Sequence, residues 1–277
     1  MSKSKELSQE QLALLNQSYP VSDSNSRASY PRFGMLSKDI VEESGTGKNK
    51  KITIVEAAGT FYTEEDNGEV DPETGKKVWT KTYLSDKVEV IIAFHRKQLR
   101  LFDKSLNKFI SSPIYDTKDQ LVPLYLDRKQ IGFGTPAELQ AKFPAVTESG
   151  KKSSKLKEET LLYVIHEGTL YQWQLSQSSK WSFKDYSKGL NPSSVVTELS
   201  SIEETNGSNT YRKATFVSKG MITQDDFDLV QESQTTLKAQ VVSDAEYFLK
   251  QSENKQLSDG QDKALDEMVE NAKKALD

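Results

Sequence analysis

The sequence predicts an α+β protein that is mainly β, built as an antiparallel barrel or strongly curved sheet with helices at its C-terminal end. Short segments rich in β-branched and aromatic residues alternate with turn residues over positions 30–220. After Thr223 the apolar residues recur at helical spacing instead. We therefore expect an N-terminal helix and flexible linker at 1–29, a β domain at 30–220 and a helical acidic segment at 221–277.

The N-terminal region carries a short leucine-containing segment, Ser8 to Asn16, followed by a Ser/Asn-rich stretch. It lacks the apolar core of a secretory signal, and the chain has no run near the roughly 18 apolar residues of a membrane span. The chain contains no cysteine, which excludes disulfides and thiolate metal sites. These features predict a cytoplasmic protein with no membrane partner.

The longest apolar run lies in Val88 to Asp103, VEVIIAFHRKQLRLFD. We interpret it as a β-hairpin with a basic turn that contains Arg96 and Lys97. The first strand is apolar on both faces and is predicted to be central in the sheet. In the second strand Gln98, Arg100 and Phe102 share one face, on which an arginine beside an aromatic ring would suit a flat anionic ligand.

The preceding strands form a second predicted hairpin. A strand at 51–62 leads through the turn-rich EEDNGEVDPETGKK to a return strand, Val78 to Leu84. Period-two geometry places Trp79, Lys81 and Tyr83 on one face of the return strand. That pattern suits base stacking with phosphate pairing. In the alternative, the two aromatics are core residues and Lys81 extends past them to solvent.

The second half of the β domain supplies further elements. Thr135 and Glu138 form a capping-box pattern for a helix at 136–143. Hairpins are predicted over 160–176 and over 194–218, with turns at 166–169 and 206–209. Between them, Lys180, Trp181 and Lys184 interleave bases with an aromatic and form a second candidate contact region, unless Trp181 is a core anchor.

Helices are predicted at the C-terminal end. Thr223 and Asp226 resemble a capping box for a helix that runs to about Gln251, and Ser258 begins another. These helices would close the sheet domain or offer an apolar stripe to a partner, either a second copy of the chain or a replication or recombination protein.

Charge is distributed unevenly along the chain. The net charge is −4, whereas residues 221–277 carry 13 acidic and 6 basic side chains, which leaves a mildly basic body. The segment from Lys76 to Lys104 holds eight bases and three acids. Such a patch attracts phosphates.

Catalytic motifs are missing from the sequence. GTGK at 45–48 lacks the flanking residues of a phosphate-binding loop, and neither a G-x-S-x-G nor an H-E-x-x-H motif occurs. Asp116, Asp119 and Asp127 lie near one another without the spacing of a calcium loop, so we interpret them as solvated turn carboxylates. We predict no enzyme activity, no cofactor and no metal.

Four segments together resemble the single-stranded-DNA-binding proteins of tailed bacteriophages and related uncultivated genomes. They are Tyr30-Pro31-Arg32, VEVIIAFHRKQLRLFD, SSPIYD and LLYVIHEGTLYQWQL, within 30–218. The resemblance implies an elaborated OB-like fold, and it transfers no individual residue. Replicative binders of this kind recruit partner enzymes through an acidic C-terminal tail. This chain departs from that pattern, because its last segment is helix-forming and contains Lys273 and Lys274.

We therefore predict sequence-tolerant binding of single-stranded DNA in phage or bacterial replication or recombination. Aromatic residues would stack bases and basic residues would meet phosphates. The predicted binding residues are Trp79, Lys81, Tyr83, Arg96, Lys97, Arg100, Phe102, Lys180, Trp181 and Lys184. The competing prediction is a virion, assembly or adaptor protein that oligomerises through its terminal helices, and a carboxylate-metal hydrolase is a third.

Overall fold

Strands dominate the computed structural model, which describes residues 30–44, 51–126, 129–147, 150–207 and 209–254. The strands are β1 (Arg32–Met35), β2 (Ile40–Ser44), β3 (Lys51–Glu56), β4 (Phe61–Val70), β5 (Lys77–Tyr83), β6 (Lys87–Asp103), β7 (Lys108–Tyr115), β8 (Val122–Leu126), β9 (Lys129–Gly134), β10 (Pro144–Val146), β11 (Lys152–Ser154), β12 (Lys157–His166), β13 (Thr169–Gln174), β14 (Val195–Asn206) and β15 (Asn209–Met221). The helices are α1 (Pro136–Ala141), α2 (Gln177–Tyr186) and α3 (Gln224–Asn254). The prediction of a mainly β protein with a C-terminal helix is confirmed.

The longest strand, β6, corrects the predicted hairpin at Val88 to Asp103. It runs unbroken through His95, Arg96 and Lys97, where a turn was expected. The three residues His95 to Lys97 include no Gly, Pro, Asn or Asp, the residues that favour a tight turn. Two further strands share one side of β6 in succession, β14 at its start and β7 at its end, so each half is paired on that side. The run of apolar residues therefore marks one central strand.

The main sheet is mixed and open. Its strand order is β5-β4-β1-β13-β12-β6-β7-β8-β9, and β14 with β15 joins it beside β6. No pairing among the described strands joins β5 to β9, so they do not close a barrel. The predicted antiparallel pairing holds for most neighbours, but β1 and β13 are parallel. Residues more than a hundred positions apart in sequence meet there.

The core forms three clusters on this sheet. The largest contains Phe33, Phe61 and Trp173 and is covered by α2 through Phe183. A second lies under α1, around Leu99 and Leu139. In the third, Val230 of α3 packs against residues of β6 and β12. The first half of α3 therefore covers part of the sheet, as one of the two sequence alternatives expected.

Local signals correctly predicted the starts of α1 and α3 and the turn between β12 and β13. Thr135 and Glu138 form the predicted capping box, and the Thr223 hydroxyl accepts a hydrogen bond from the Asp226 amide at 3.2 Å. The β12–β13 turn uses Glu167 and Gly168 at φ of 48° and 78°, a left-handed pair that suits a two-residue hairpin. The helices predicted at 8–16 and from Ser258 lie outside the described residues.

Candidate functional site

One face of the main sheet carries two of the aromatic-and-basic groups that the sequence predicted, namely the residues of β5 and the pair of Arg100 and Phe102 on β6. Cross-strand partners in a sheet point to the same side, so the register identifies the members of this face. It carries Trp79, Lys81 and Tyr83 of β5; Tyr62 and Glu64 of β4; Arg32 of β1; Gln172 and Gln174 of β13; Leu161 of β12; Gln98, Arg100 and Phe102 of β6; and Phe109 and Ser111 of β7. We call it the cleft face.

At one end of the cleft face two cations lie on two aromatic rings. The Arg32 guanidinium is 4.7 Å from the centroid of Trp79, and the Lys81 ammonium is 4.1 Å from that of Tyr62. Both cations also contact the Glu64 carboxylate, at 3.5 Å and 3.1 Å. This end therefore combines ring surface, positive charge and one shared carboxylate.

Burial acts on the Lys81 ammonium as well. It lowers the pKa of Lys81, but the hydrogen bond to Glu64 and electrostatic interactions with Tyr62, Glu64 and Tyr83 outweigh that effect, and the net pKa is raised. Lys81 therefore stays protonated at neutral pH and keeps its positive charge on the cleft face.

The other end repeats the arrangement with different residues. The Arg100 guanidinium lies 3.9 Å from the centroid of Phe109, and the rings of Phe102 and Phe109 are 4.9 Å apart. These rings are 42% and 47% exposed, which leaves ring surface open to a ligand. Arg100 donates to Gln174 Oε1 at 2.9 Å and lies 3.7 Å from Glu159.

A cleft of about 660 Å³ lies between the two ends. Its lining includes Arg32, Tyr62 and Glu64 from one end and Arg100 and Phe109 from the other. Strands β1 and β13 border it, and their register pairs Arg32 with Gln172 alone. The volume falls within the roughly 300–1,000 Å³ of pockets that enclose small ligands.

Arg96 is a structural residue, which corrects its predicted role on phosphates. Its side chain is 2% exposed, and Nε and Nη2 donate to the two carboxylate oxygens of Asp116 at 2.9 Å and 3.0 Å. The loop after β7 carries Asp116 onto it. Asp116 is thus one half of a bidentate ion pair, where the sequence suggested a solvated turn carboxylate.

Four predicted residues lie outside the cleft face. Lys97 alternates with Arg96 along β6 and points to the opposite side, where it is 3.7 Å from Glu158. Lys180 of α2 donates to the Glu158 carbonyl at 2.7 Å and lies 3.4 Å from the Glu158 carboxylate. Trp181 is 58% exposed on α2, and the Lys184 ammonium lies 5.0 Å from its ring centroid. Trp181 and Lys184 form an aromatic–cation pair that is separate from the cleft face.

Arg32, Tyr62 and Phe109 are cleft residues that sequence reasoning missed. Arg32 lies close to the predicted start of the β domain at residue 30, Tyr62 is the last residue of a predicted strand, and Phe109 lies outside the predicted strands. Period two applied to β4 would have placed Tyr62 with Glu64, but no sequence signal pairs β1 with β4 or β13. Their proximity depends on the strand order.

Each of the three cations that contact a ring on the cleft face has a carboxylate neighbour. Glu64 forms ion pairs with Arg32 and Lys81, and Glu159 forms one with Arg100. Burial raises the pKa of Glu159, and the positive charge of Arg100 offsets this effect only in part. The Arg32 side chain is 61% exposed, but Glu64 and Glu159 are 19% and 21% exposed, so an incoming anion must displace partly buried carboxylates from these cations.

Within the described ranges, no group of three or more His, Cys, Asp or Glu side chains is arranged to hold a metal ion. None of the helices in that part of the chain is long and apolar enough to cross a membrane. Comparison with protein-family models, with curated proteins and with solved structures gives no match. Function is therefore inferred from the chemistry of the cleft face itself.

Proposed function

We propose that this protein binds single-stranded DNA with little sequence preference, in phage or bacterial replication or recombination. The supporting observation is the cleft face, on which two aromatic–cation groups flank one cleft. Each nucleotide of a single strand offers a flat base and a phosphate, which match a ring and a neighbouring cation. In this proposal the open sheet face serves as it does in OB-like folds, and the protein acts in the cytoplasm.

The cation count sets the expected salt dependence. Arg32, Lys81 and Arg100 are the cations that contact the rings of this face. If each neutralises one phosphate, log Kobs should fall against log salt with a slope of about −2, since single strands give about −0.7 per phosphate. The carboxylates Glu64 and Glu159 would weaken binding at every salt concentration without changing that count.

Fluorescence anisotropy with labelled oligo-dT and a duplex of equal length, at two salt concentrations, tests the proposal. We expect the single strand to bind at low salt and the duplex to bind more weakly, because paired bases cannot stack on the rings. A folded protein that does not bind oligo-dT at low salt would refute the function. Mg²⁺-dependent cleavage of the oligonucleotide would instead support the hydrolase alternative.

A matched pair of double variants locates the binding face. Trp79→Ala with Arg100→Ala removes one ring and one cation from the cleft face, and should weaken binding by at least about tenfold, since stacking contributes roughly 1–3 kcal/mol per base. Trp181→Ala with Lys184→Ala removes the same residue classes from α2 and should leave affinity unchanged. Equal losses in both variants would contradict the assignment of the face.

The second candidate is an assembly or adaptor protein, and the β2–β3 hairpin favours it. This hairpin is a separate two-stranded sheet, on which Val41 is 44% exposed, Ile52 59% and Ile54 58%. Cross-strand pairing of Val41 with Ile54 groups apolar surface on one side. In this candidate the terminal helices oligomerise the chain. Light scattering across a concentration series checks it, since a constant monomer mass would remove the homo-oligomer version.

A further inference from the structure

The polar groups at the mouth of the cleft suggest which base it receives. Glu64 and Arg32 both line the cleft, and the Glu64 side chain is 19% exposed. A carboxylate offers about four acceptor sites, so the contacts with Arg32 and Lys81 leave room for two more donors. The pair presents a two-acceptor group beside a guanidinium donor.

Flat walls border these polar groups. The Tyr62 ring lies against Gly34 so closely that a Cβ at position 34 would be 2.3 Å from Tyr62 Cζ. Across the cleft, the Arg100 guanidinium is held on the Phe109 ring, and both residues line the space. A planar guanidinium stacks on aromatic surfaces as a ring does. Planar groups therefore line the cleft at both of its ends.

Two amide side chains add acceptors. Gln98 donates through Nε2 to the Ser112 carbonyl at 2.8 Å, and Gln172 donates to the Tyr163 hydroxyl at 3.2 Å. No described residue donates to the Oε1 atom of either glutamine. With Glu64, these oxygens favour a ligand that is rich in N–H groups.

We infer that the cleft receives one unpaired guanine base, with Glu64 accepting from N1–H and the 2-amino group while Arg32 donates to O6. This inference rests on the proposed function. Guanine is the base whose Watson–Crick edge carries two adjacent donors next to an acceptor. Adenine and cytosine place a bare ring nitrogen against the carboxylate, and thymine offers one donor between two carbonyls. The protein would thus tolerate any sequence while preferring strands that place a guanine in the cleft.

Competition anisotropy tests this preference with labelled oligo-dT and unlabelled oligo-dT strands that carry one central dG, dI, dA or dC. A single dG cannot form a quadruplex within one strand. We expect dG to compete best, roughly 5- to 100-fold better than dA or dC, as for other bidentate contacts to a base. Inosine lacks the 2-amino group and should fall between them. Equal competition by dG, dI and dA would overturn the inference and leave the function standing, whereas absent oligo-dT binding overturns both.

Variants assign the preference to Glu64. Glu64→Gln replaces one acceptor oxygen by a donor nitrogen and should abolish the gap between dG and dI while oligo-dT still binds. Glu69→Gln removes the same charge from an exposed position on β4 and should keep the gap. Gly34→Ala pushes the Tyr62 ring from its place and should reduce dG competition selectively. A dG preference that persists in Glu64→Gln would overturn the inference.

Discussion

Arg96→Leu should destabilise the protein strongly, because it leaves the Asp116 carboxylate without its partner. The two side chains are 2% and 16% exposed and joined by two hydrogen bonds at 2.9 Å and 3.0 Å. Breaking a buried ion pair by removing one partner costs about 3–5 kcal/mol. Asp116 keeps some contact with water, so we expect the lower end, about 3 kcal/mol.

Urea denaturation measures this loss directly, and thermal unfolding should follow it. A domain of this size shifts its midpoint by about 2–4 °C per kcal/mol, which predicts a fall of roughly 6–12 °C. The double variant Arg96→Leu with Asp116→Leu removes both charges and should regain much of the stability, because it leaves no unpaired charge. The double variant separates the unpaired charge from the loss of packing.

If the protein binds single-stranded DNA as proposed, the salt dependence of binding should distinguish Arg96 from Arg100, which is four residues away on the same face of β6. Under conditions where Arg96→Leu is folded, its salt slope should match the wild type. Arg100→Ala should make the slope less negative by about 0.7, the value of one phosphate contact. A loss below about 1 kcal/mol for Arg96→Leu, or a reduced slope in that variant, would refute the structural role of this pair.

Three further predictions concern stability. Gly59→Ala should lower the free energy of unfolding several times as much as Gly68→Ala. The φ angles are +93° and +79°, so both substitutions strain the backbone, but only at Gly59 would a Cβ clash with Ser201 Oγ, at 2.0 Å. Urea denaturation compares the two variants, and equal losses of stability would contradict the steric explanation. Burial raises the pKa of Glu159 above its ordinary 4.5, so the folded state binds this proton more tightly. The free energy of unfolding should therefore fall as pH rises through that raised pKa, and Glu159→Gln should flatten this part of the stability–pH curve. Thr135→Ala removes the cap of α1 and should cost about 1 kcal/mol in the same assay, whereas no loss would mean that the capping box does not stabilise the fold.

The features that could be predicted from the sequence are those that depend on residues close together in the chain. The capping box at Thr135 and the left-handed turn at Glu167 and Gly168 involve residues a few positions apart, so their geometry follows from the residues themselves. The common face of Trp79, Lys81 and Tyr83 also follows, because side chains alternate along any strand. The mainly β class came from the same kind of local pattern.

Tertiary structure alone decided how β6 continues and what its basic residues do. The polar sequence HRKQ, residues 95–98, predicts a break in the strand. However, β12 pairs with β6 both before and after these residues, and strand pairing between distant segments overrides a weak local preference. Burial of Arg96 required Asp116, which another loop supplies. The sequence could not show which cation would receive a carboxylate and be buried.

The cleft face combines both kinds of information. Sequence determined that β5 carries rings and a base on one side and that Arg100 and Phe102 share a side of β6. Only the strand order placed these two groups on one surface, through β4, β1, β13 and β12. The parallel contact of β1 with β13 joins residues about 140 positions apart, as Arg32 and Gln172 show. Such a contact depends on the free energy of the whole sheet, which no segment determines by itself.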